Sequence, residues 1–151
     1  MTSSQEGDIV IERCRAAQWP AIVPLLRQLW PDRDVEAEPV RRTFEAALQS
    51  DCGQYWIARK GQAVVGFASL SLKHSLWAGG KLAQVNELVV DRHQRGQGIG
   101  TQLMRRLEET ARDLGAAGIE LDSAFHRESA HAFYERRGFV RRAYWFTKDL
   151  P

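Results

Sequence analysis

A strand, a glycine-studded turn and a long amphipathic helix follow one another between residues 82 and 114, and this unit restricts the fold more than any other stretch. Residues 82–90 end in the apolar, β-branched run Leu88-Val89-Val90 and read as a strand. The chain then passes through Asp91 into Arg95-Gly96-Gln97-Gly98-Ile99-Gly100-Thr101. From there Ile99, Leu103, Leu107, Ala111 and Leu114 recur at helical spacing, which predicts a helix to about residue 114. Glu108 and Arg112 form an i,i+4 pair on its wet side. Gly115 and Gly118 punctuate its end, and residues 119–123 read as another strand. Strand, helix, strand in this order calls for a parallel pair joined by a right-handed crossover.

The turn itself carries chemistry. Three glycines at alternate positions let the backbone bend tightly and remove side chains that would obstruct a ligand. The first amides of a helix have no carbonyl partner within it, and together with the helix dipole they form an anion site. A pyrophosphate fits such a site, and Arg95 can add charge-assisted bonds. A tight turn with no ligand would use the same glycines. The stretch lacks the Gly-Lys-Ser/Thr of a phosphate-binding P-loop, and its G-x-G-x-G spacing differs from the dinucleotide fingerprint.

Around this unit the chain alternates ordinary elements. Residues 1–7 read as a flexible tail and 8–151 as one domain. Ile9-Val10-Ile11 is a short β-like run. Residues 20–29 fit a helix with Pro20 at its start and Pro24 either in the first turn or at a kink. Val40, Phe44 and Leu48 give a single apolar stripe on a helix over about 38–49. Residues 54–60 and 63–73 form a hairpin around Gly61-Gln62. In its second strand Val64, Ala68, Leu70 and Leu72 share one face, Val65 and Phe67 the other. Residues 74–81 read as a loop, 129–137 as a short helix and 139–148 as the last strand. The result is an α/β fold, a mixed and mainly antiparallel sheet with helices on both faces.

The strand Glu87-Leu88-Val89-Val90-Asp91 followed by Arg95-x-x-Gly98-x-Gly100 resembles the acetyl-CoA signature of the GCN5-related N-acetyltransferase superfamily. The run Ala130-His131-Ala132-Phe133-Tyr134-Glu135-Arg136-Arg137-Gly138-Phe139 resembles that superfamily's closing motif, and the element order matches from residue 8 to 148. Glu87–Val90, the Ala130–Tyr134 run and Tyr144–Lys148 are similar to aminoalkylphosphonate N-acetyltransferases. Leu29-Trp30-Pro31-Asp32 is similar to some aminoglycoside N-acetyltransferases.

The resemblance implies a central parallel βαβ pair splayed to hold acetyl-CoA as co-substrate. Main-chain groups of Leu88, Val89 and Val90 would pair with the pantetheine, and Arg95, Gly96, Gln97, Gly98, Ile99, Gly100 and Thr101 would hold the pyrophosphate. An amine with a Lys-like pKa of about 10.4 must lose a proton before it attacks. Glu87, on the strand that carries the thioester, is the candidate base, or else a contact for the substrate ammonium. Tyr134 matches the family's acid for the leaving sulfur. Many relatives carry Asn seven positions before this Tyr, where this chain has Arg127, suited to the cofactor or to an anionic substrate. The implied function is acetyl transfer to a primary amine of a small molecule, by direct attack in a ternary complex. The alternatives are a protein N-terminus or lysine as acceptor, and a non-catalytic acyl-CoA-binding module.

Other classes find little support. The formal net charge is +2 with arginines dispersed among acids, which argues against nucleic acid as the main partner. No apolar run is long enough for a membrane span, and the start is not a signal peptide, so the expected location is cytoplasmic. Cys14 and Cys52 read as inert apolar thiols, and His74, His93, His126 and His131 lack metal-ligand spacing, so no metal is expected. Asp32, Asp34, Glu36 and Glu38 form an acidic loop that could attract a cationic amine or simply be solvated. Trp77, if exposed, would serve a lid or a homodimer contact.

Overall fold

The computed structural model describes residues 7–51 and 53–151. Cys52 and all of the expected tail except Gly7 lie outside the described residues.

The elements follow in the order β1 (Ile9–Arg13), α1 (Trp19–Leu29), α2 (Glu38–Gln49), β2 (Gly53–Lys60), β3 (Ala63–Ser75), β4 (Gly80–Val90), α3 (Ile99–Asp113), β5 (Ala116–Leu121) and α4 (Glu128–Arg136). The five strands lie side by side in chain order. β1 to β4 pair antiparallel, and β4 pairs parallel with β5 through the α3 crossover. The expected mixed α/β sheet is therefore present.

Two cores flank the sheet because β-strand side chains alternate between faces. On one face Ile99, Leu103, Met104, Leu107 and Ala111 of α3 pack on Ala58, Val65, Ala68, Leu70, Ala83 and Val85. On the other, Ile22, Val23, Leu25 and Leu26 of α1 and Phe44 of α2 pack on Ile57, Phe67 and Val89. The Val40, Phe44, Leu48 stripe of α2 points into this second core, and Val35 of the intervening loop plugs it at 2% exposure. Pro20 occupies the first turn of α1, while Pro24 lies inside the helix.

Several boundaries differ from the sequence reading. The hairpin β3–β4 extends through most of 74–81, leaving only 76–79 as its turn. β5 begins earlier than residue 119, so Gly118 lies inside a strand; Gly115, at φ +78, makes the turn after α3. The ion pair on the wet side of α3 joins Arg106 and Glu109 at 3.5 Å rather than Glu108 and Arg112. The β2–β3 register slips between Ala58 and Arg59, which puts Val65 on the α3 side with Ala68 and Leu70 and sends Val64 to the α1 side. A bulge adds one residue to one strand and so reverses the alternation beyond it. The expected last strand is absent: residues 139–148 form no strand, and from Val140 onward every residue is exposed. Their aromatic and β-branched content favours a strand, but a strand also needs a neighbour to bond, and this segment pairs with none. No helix among the described residues is long and apolar enough to cross a membrane.

Candidate active site

β4 has two different surroundings along its length. Its pairing with β5 runs from Lys81↔Ala116 to Val85↔Leu121 and stops there. Its pairing with β3 continues to Gly66↔Val90. The outward main-chain groups of residues 86–90 thus face no strand among the described residues. β5 itself ends at this point, at Leu121, and the chain passes into the loop before α4.

A bulge sets the direction of the side chains in this free half. Ser69 lies opposite Glu87 and Leu70 opposite Val85, which leaves Asn86 as the extra residue. Ala83 and Val85 face α3, whereas Val89 belongs to the core under α1 and α2. Without the extra residue, positions 85, 87 and 89 would share one face. With it, Glu87 turns to the α1 side and meets Ser69. The Ser69 hydroxyl donates to Glu87 Oε2, and the Glu87 amide donates to Ser69 Oγ at 3.2 Å. Ser69 is fully buried. Burial pushes the Glu87 carboxyl above its usual value, and the Ser69 hydrogen bond opposes that shift. Tyr55 lies in the same region: burial, and secondarily the charge of Glu87, push its phenol up to about 12.

The glycine turn sits at the end of β4. Gly96 and Gly98 have φ of +79 and +80, a region L side chains rarely adopt. A Cβ at either would meet nothing within 4 Å, so the space in front of both is open. Gly98 caps α3, and no side chain bonds its first turn. The first in-helix bond there runs from Gln102 N–H to the Gly98 carbonyl at 3.1 Å. The amides of Ile99, Gly100 and Thr101 therefore have no carbonyl partner within the helix. Ile99 is buried and anchors the helix start, while Gly100 faces the Phe133 ring. Arg95 folds back so that Nε donates to the Val90 carbonyl at 3.2 Å.

Tyr134 lies on α4, packed edge-on between Phe133 at 5.5 Å and Phe139 at 5.9 Å. It contacts the α3-side core, whereas Glu87 serves the α1 side. Burial raises the Tyr134 phenol above its ordinary value; Arg127 opposes this and Asp122 adds to it. Arg127 begins α4 and reaches back so that Nη2 donates to the Leu29 carbonyl at 2.5 Å. A cation there complements the C-terminal end of α1 and ties that end to the β5–α4 corner.

The structure adds residues that the sequence reading passed over. Lys60 brings its ammonium to within 3.1 Å of Gln97 Oε1 in the glycine turn. Gln28 holds the other side, accepting from the Arg92 amide at 2.9 Å. Pro24, Arg27, Gln28, Pro31, Arg92 and Arg95 line a basic groove of about 490 Å³ between α1 and the turn. Ser69 left one faint signal, a lone hydroxyl inside the apolar run from Gly66 to Leu70. In the acidic loop Glu36 pairs with Arg27, Glu38 pairs with Arg42 at 3.4 Å, and Asp34 Oδ1 accepts from the Glu36 amide at 3.2 Å, so three of the four acids are already engaged. Burial lifts the Cys14 thiol to about 12, which makes it a poor nucleophile. Among the described residues no three His, Cys, Asp or Glu side chains gather as a metal site.

Comparison with known proteins defines the class. The Acetyltransferase (GNAT) family profile matches residues 19–139. The aminoalkylphosphonate N-acetyltransferase of Salmonella typhimurium is 36% identical over 117 residues, which cover 78% of this chain and 76% of that enzyme. The glucosamine 6-phosphate N-acetyltransferase of Trypanosoma brucei brucei is 36% identical over 88 residues, 58% of each chain. The crystal structure of a transcriptional regulator from Bacillus halodurans C-125 superposes with a TM-score of 0.86 at 22% identity, over 95% of this chain and 100% of that one. This last likeness shows the fold alone. The chain belongs to the GNAT family, and it is an acetyltransferase.

Proposed function

We propose that the protein transfers the acetyl group of acetyl-CoA to the primary amine of a small, negatively charged molecule, by direct attack within a ternary complex. The carrying observation is the free half of β4, with unpaired main chain on one side and Glu87 turned by the bulge toward α1.

The residues fit the cofactor. Gly96 and Gly98 front open space, and the uncapped amides of Ile99, Gly100 and Thr101 suit a pyrophosphate. Arg95, Gln97 and Lys60 add polar and positive groups around it, and Arg127 adds charge at the opposite rim. The outward main chain of Leu88, Val89 and Val90 suits an amide-bearing chain laid alongside as an extra strand. Bound there, acetyl-CoA supplies an activated thioester carbonyl.

Glu87 then takes the proton of the incoming ammonium, directly or through a water. Its raised pKa makes it a better proton acceptor than an exposed carboxylate, while it is still ionised above that pKa. Tyr134 stays protonated through the neutral range, because its pKa is raised from an already high value. It donates to the departing sulfur.

Two things support an anionic acceptor. The groove beside α1 is lined by Arg27 and Arg92, and the two relatives named above act on amines that bear a phosphonate or a phosphate. A cytoplasmic setting agrees with this chemistry. The test is release of free CoA thiol across aminoalkylphosphonates, amino-sugar phosphates, aminoglycosides, polyamines, amino acids and short peptides. Turnover concentrated in the first two groups is expected. Preference for peptides would move the acceptor to proteins, and cofactor binding without turnover on any amine would make the chain a binding module.

A further inference from the structure

The face of the sheet under α1 and α2 changes character from one row of side chains to the next. Ile57, Phe67 and Val89 stand in register across β2, β3 and β4 and are buried under the two helices. The next row, also in register, is Tyr55, Ser69 and Glu87. Ser71 lies two residues on from Ser69 and shares its face. The apolar core gives way here to hydroxyls and a carboxyl, and of these four residues only Ser69 is buried.

The bulge in β4 puts two consecutive side chains on this face. Adjacent residues of a regular strand point to opposite faces, whereas a bulge sets two against one partner. The extra residue, Asn86, donates from Nδ2 to Ser71 Oγ at 3.0 Å. Its neighbour Glu87 takes the Ser69 hydroxyl on Oε2. Two hydroxyls on β3 therefore hold an amide and a carboxyl side by side. Each keeps one oxygen unused: Asn86 Oδ1 and Glu87 Oε1 accept from no group among the described residues. Lys73, the next residue on this face of β3, is already paired with Glu120. Asn86 is exposed, so a ligand can reach the pair.

We propose that Asn86 contacts the substrate amine and, with Glu87, grips it in its charged form: Asn86 Oδ1 accepts one ammonium N–H while Glu87 Oε1 accepts another. This rests on the acetyl-transfer reading above and adds what orients the amine and which amines qualify. An ammonium offers donors only, and two fixed oxygens on one strand set its direction. Of its three N–H protons, one passes to Glu87 and leaves a lone pair that attacks the thioester carbon. A second leaves the nitrogen as the C–N bond is made and the C–S bond breaks, and it replaces the proton that Tyr134 gives to sulfur. The third, held by Asn86, stays on the amide product. A secondary amine has no third proton, so Asn86 selects primary amines.

The test compares the intact chain with Asn86→Ala and Asn86→Asp. The substrates are 2-aminoethylphosphonate and its N-methyl derivative or, should the CoA-release panel favour another primary amine, that amine and its N-methyl derivative. The position is exposed, so the fold is kept, which circular dichroism checks. Asn86→Ala should raise the amine KM about 10- to 100-fold, the worth of one hydrogen bond to a charged group, and leave the acetyl-CoA KM unchanged. Its preference for the primary over the N-methyl amine should shrink by about tenfold. Asn86→Asp, which keeps an oxygen in place, should restore both under mildly alkaline conditions. An unchanged amine KM in Asn86→Ala, a parallel rise in the acetyl-CoA KM, or an unaltered preference would each overturn the contact while leaving acetyl transfer intact. Failure of the intact chain to acetylate any amine would remove the acetyl-transfer reading, and the contact with it.

Discussion

The two halves of β4 invite comparison, since they share one strand and differ in almost everything else. The first half is paired on both sides, and Ala83 and Val85 are buried under α3. It does what a core strand does, satisfying its main chain and filling space. The second half is paired on one side, carries a carboxylate half turned into an apolar core, and ends at a helix whose first amides are uncapped. Each of these features is unfavourable for stability taken alone, since unmade hydrogen bonds and buried charge both cost free energy. Their concentration at one end of one strand is the ground on which we propose that end as the place for a ligand and for proton transfer. The half that is bonded completely holds the half that is not.

If this division is right, substitutions in the free half should change chemistry, and those in the paired half should change stability. The largest effect is expected for Gly98→Val. A β-branched side chain at φ +80 would be strained and would project into the open space before the helix, so acetyl-CoA affinity by calorimetry should fall beyond detection in a protein whose circular dichroism is retained. Undiminished affinity would place the cofactor elsewhere. Glu87→Gln should lower kcat by about 10²–10⁴-fold with little change in the KM for acetyl-CoA; a loss below tenfold would reduce Glu87 to a substrate contact. Tyr134→Phe should cost about 10²-fold in kcat, again sparing cofactor affinity, and equal turnover would remove the phenol from the reaction.

The paired half supplies the contrast. Val85→Ala should destabilise the protein by about 2 kcal/mol, through lost burial and the cavity left behind, while kcat stays within twofold. A large loss of turnover in a folded Val85→Ala enzyme would erase the distinction between the halves. The smallest effect is a shift in pH dependence. Ser69 holds the Glu87 pKa down against the upward push of burial. In Ser69→Ala that pKa rises further, so more of the carboxyl is protonated at a given pH. The acidic limb of the kcat/KM profile should therefore move to higher pH, with the rate at alkaline pH little changed. A limb that stayed in place would mean that another group controls it.

The helices were legible because their signals are local. Val40, Phe44 and Leu48 define α2, and Ile99, Leu103, Leu107 and Ala111 define α3, from spacing that needs no knowledge of the rest of the chain. The glycine turn was legible for the same reason: positive φ at Gly96 and Gly98 is a property of those residues and their immediate neighbours. The β-strands were legible as segments but not as partners. Nothing around Phe139–Lys148 in the sequence tells whether a neighbouring edge will be presented to it, and the strand expected there does not form.

Candidate residues divided in the same way. Glu87, Tyr134 and the turn could be picked out by type and position, but not the contacts that tune them. Ser69 reaches Glu87 from 18 residues away, Lys60 reaches Gln97 from 37, and Arg127 reaches the Leu29 carbonyl from 98. The facing of Glu87 depends on one extra residue in β4 relative to β3, which is a relation between strands and not a property of either.

The sequence by itself determined the order of elements, the apolar faces of the helices and the glycine turn, because each follows from repeat distances and backbone freedom within a few residues. Only the tertiary structure decided where β4 loses its neighbour, which way Glu87 faces, which cations surround the turn and what becomes of the last residues. Those outcomes depend on register and on distant hydrogen-bond partners, and a side chain's environment is fixed by what folds against it.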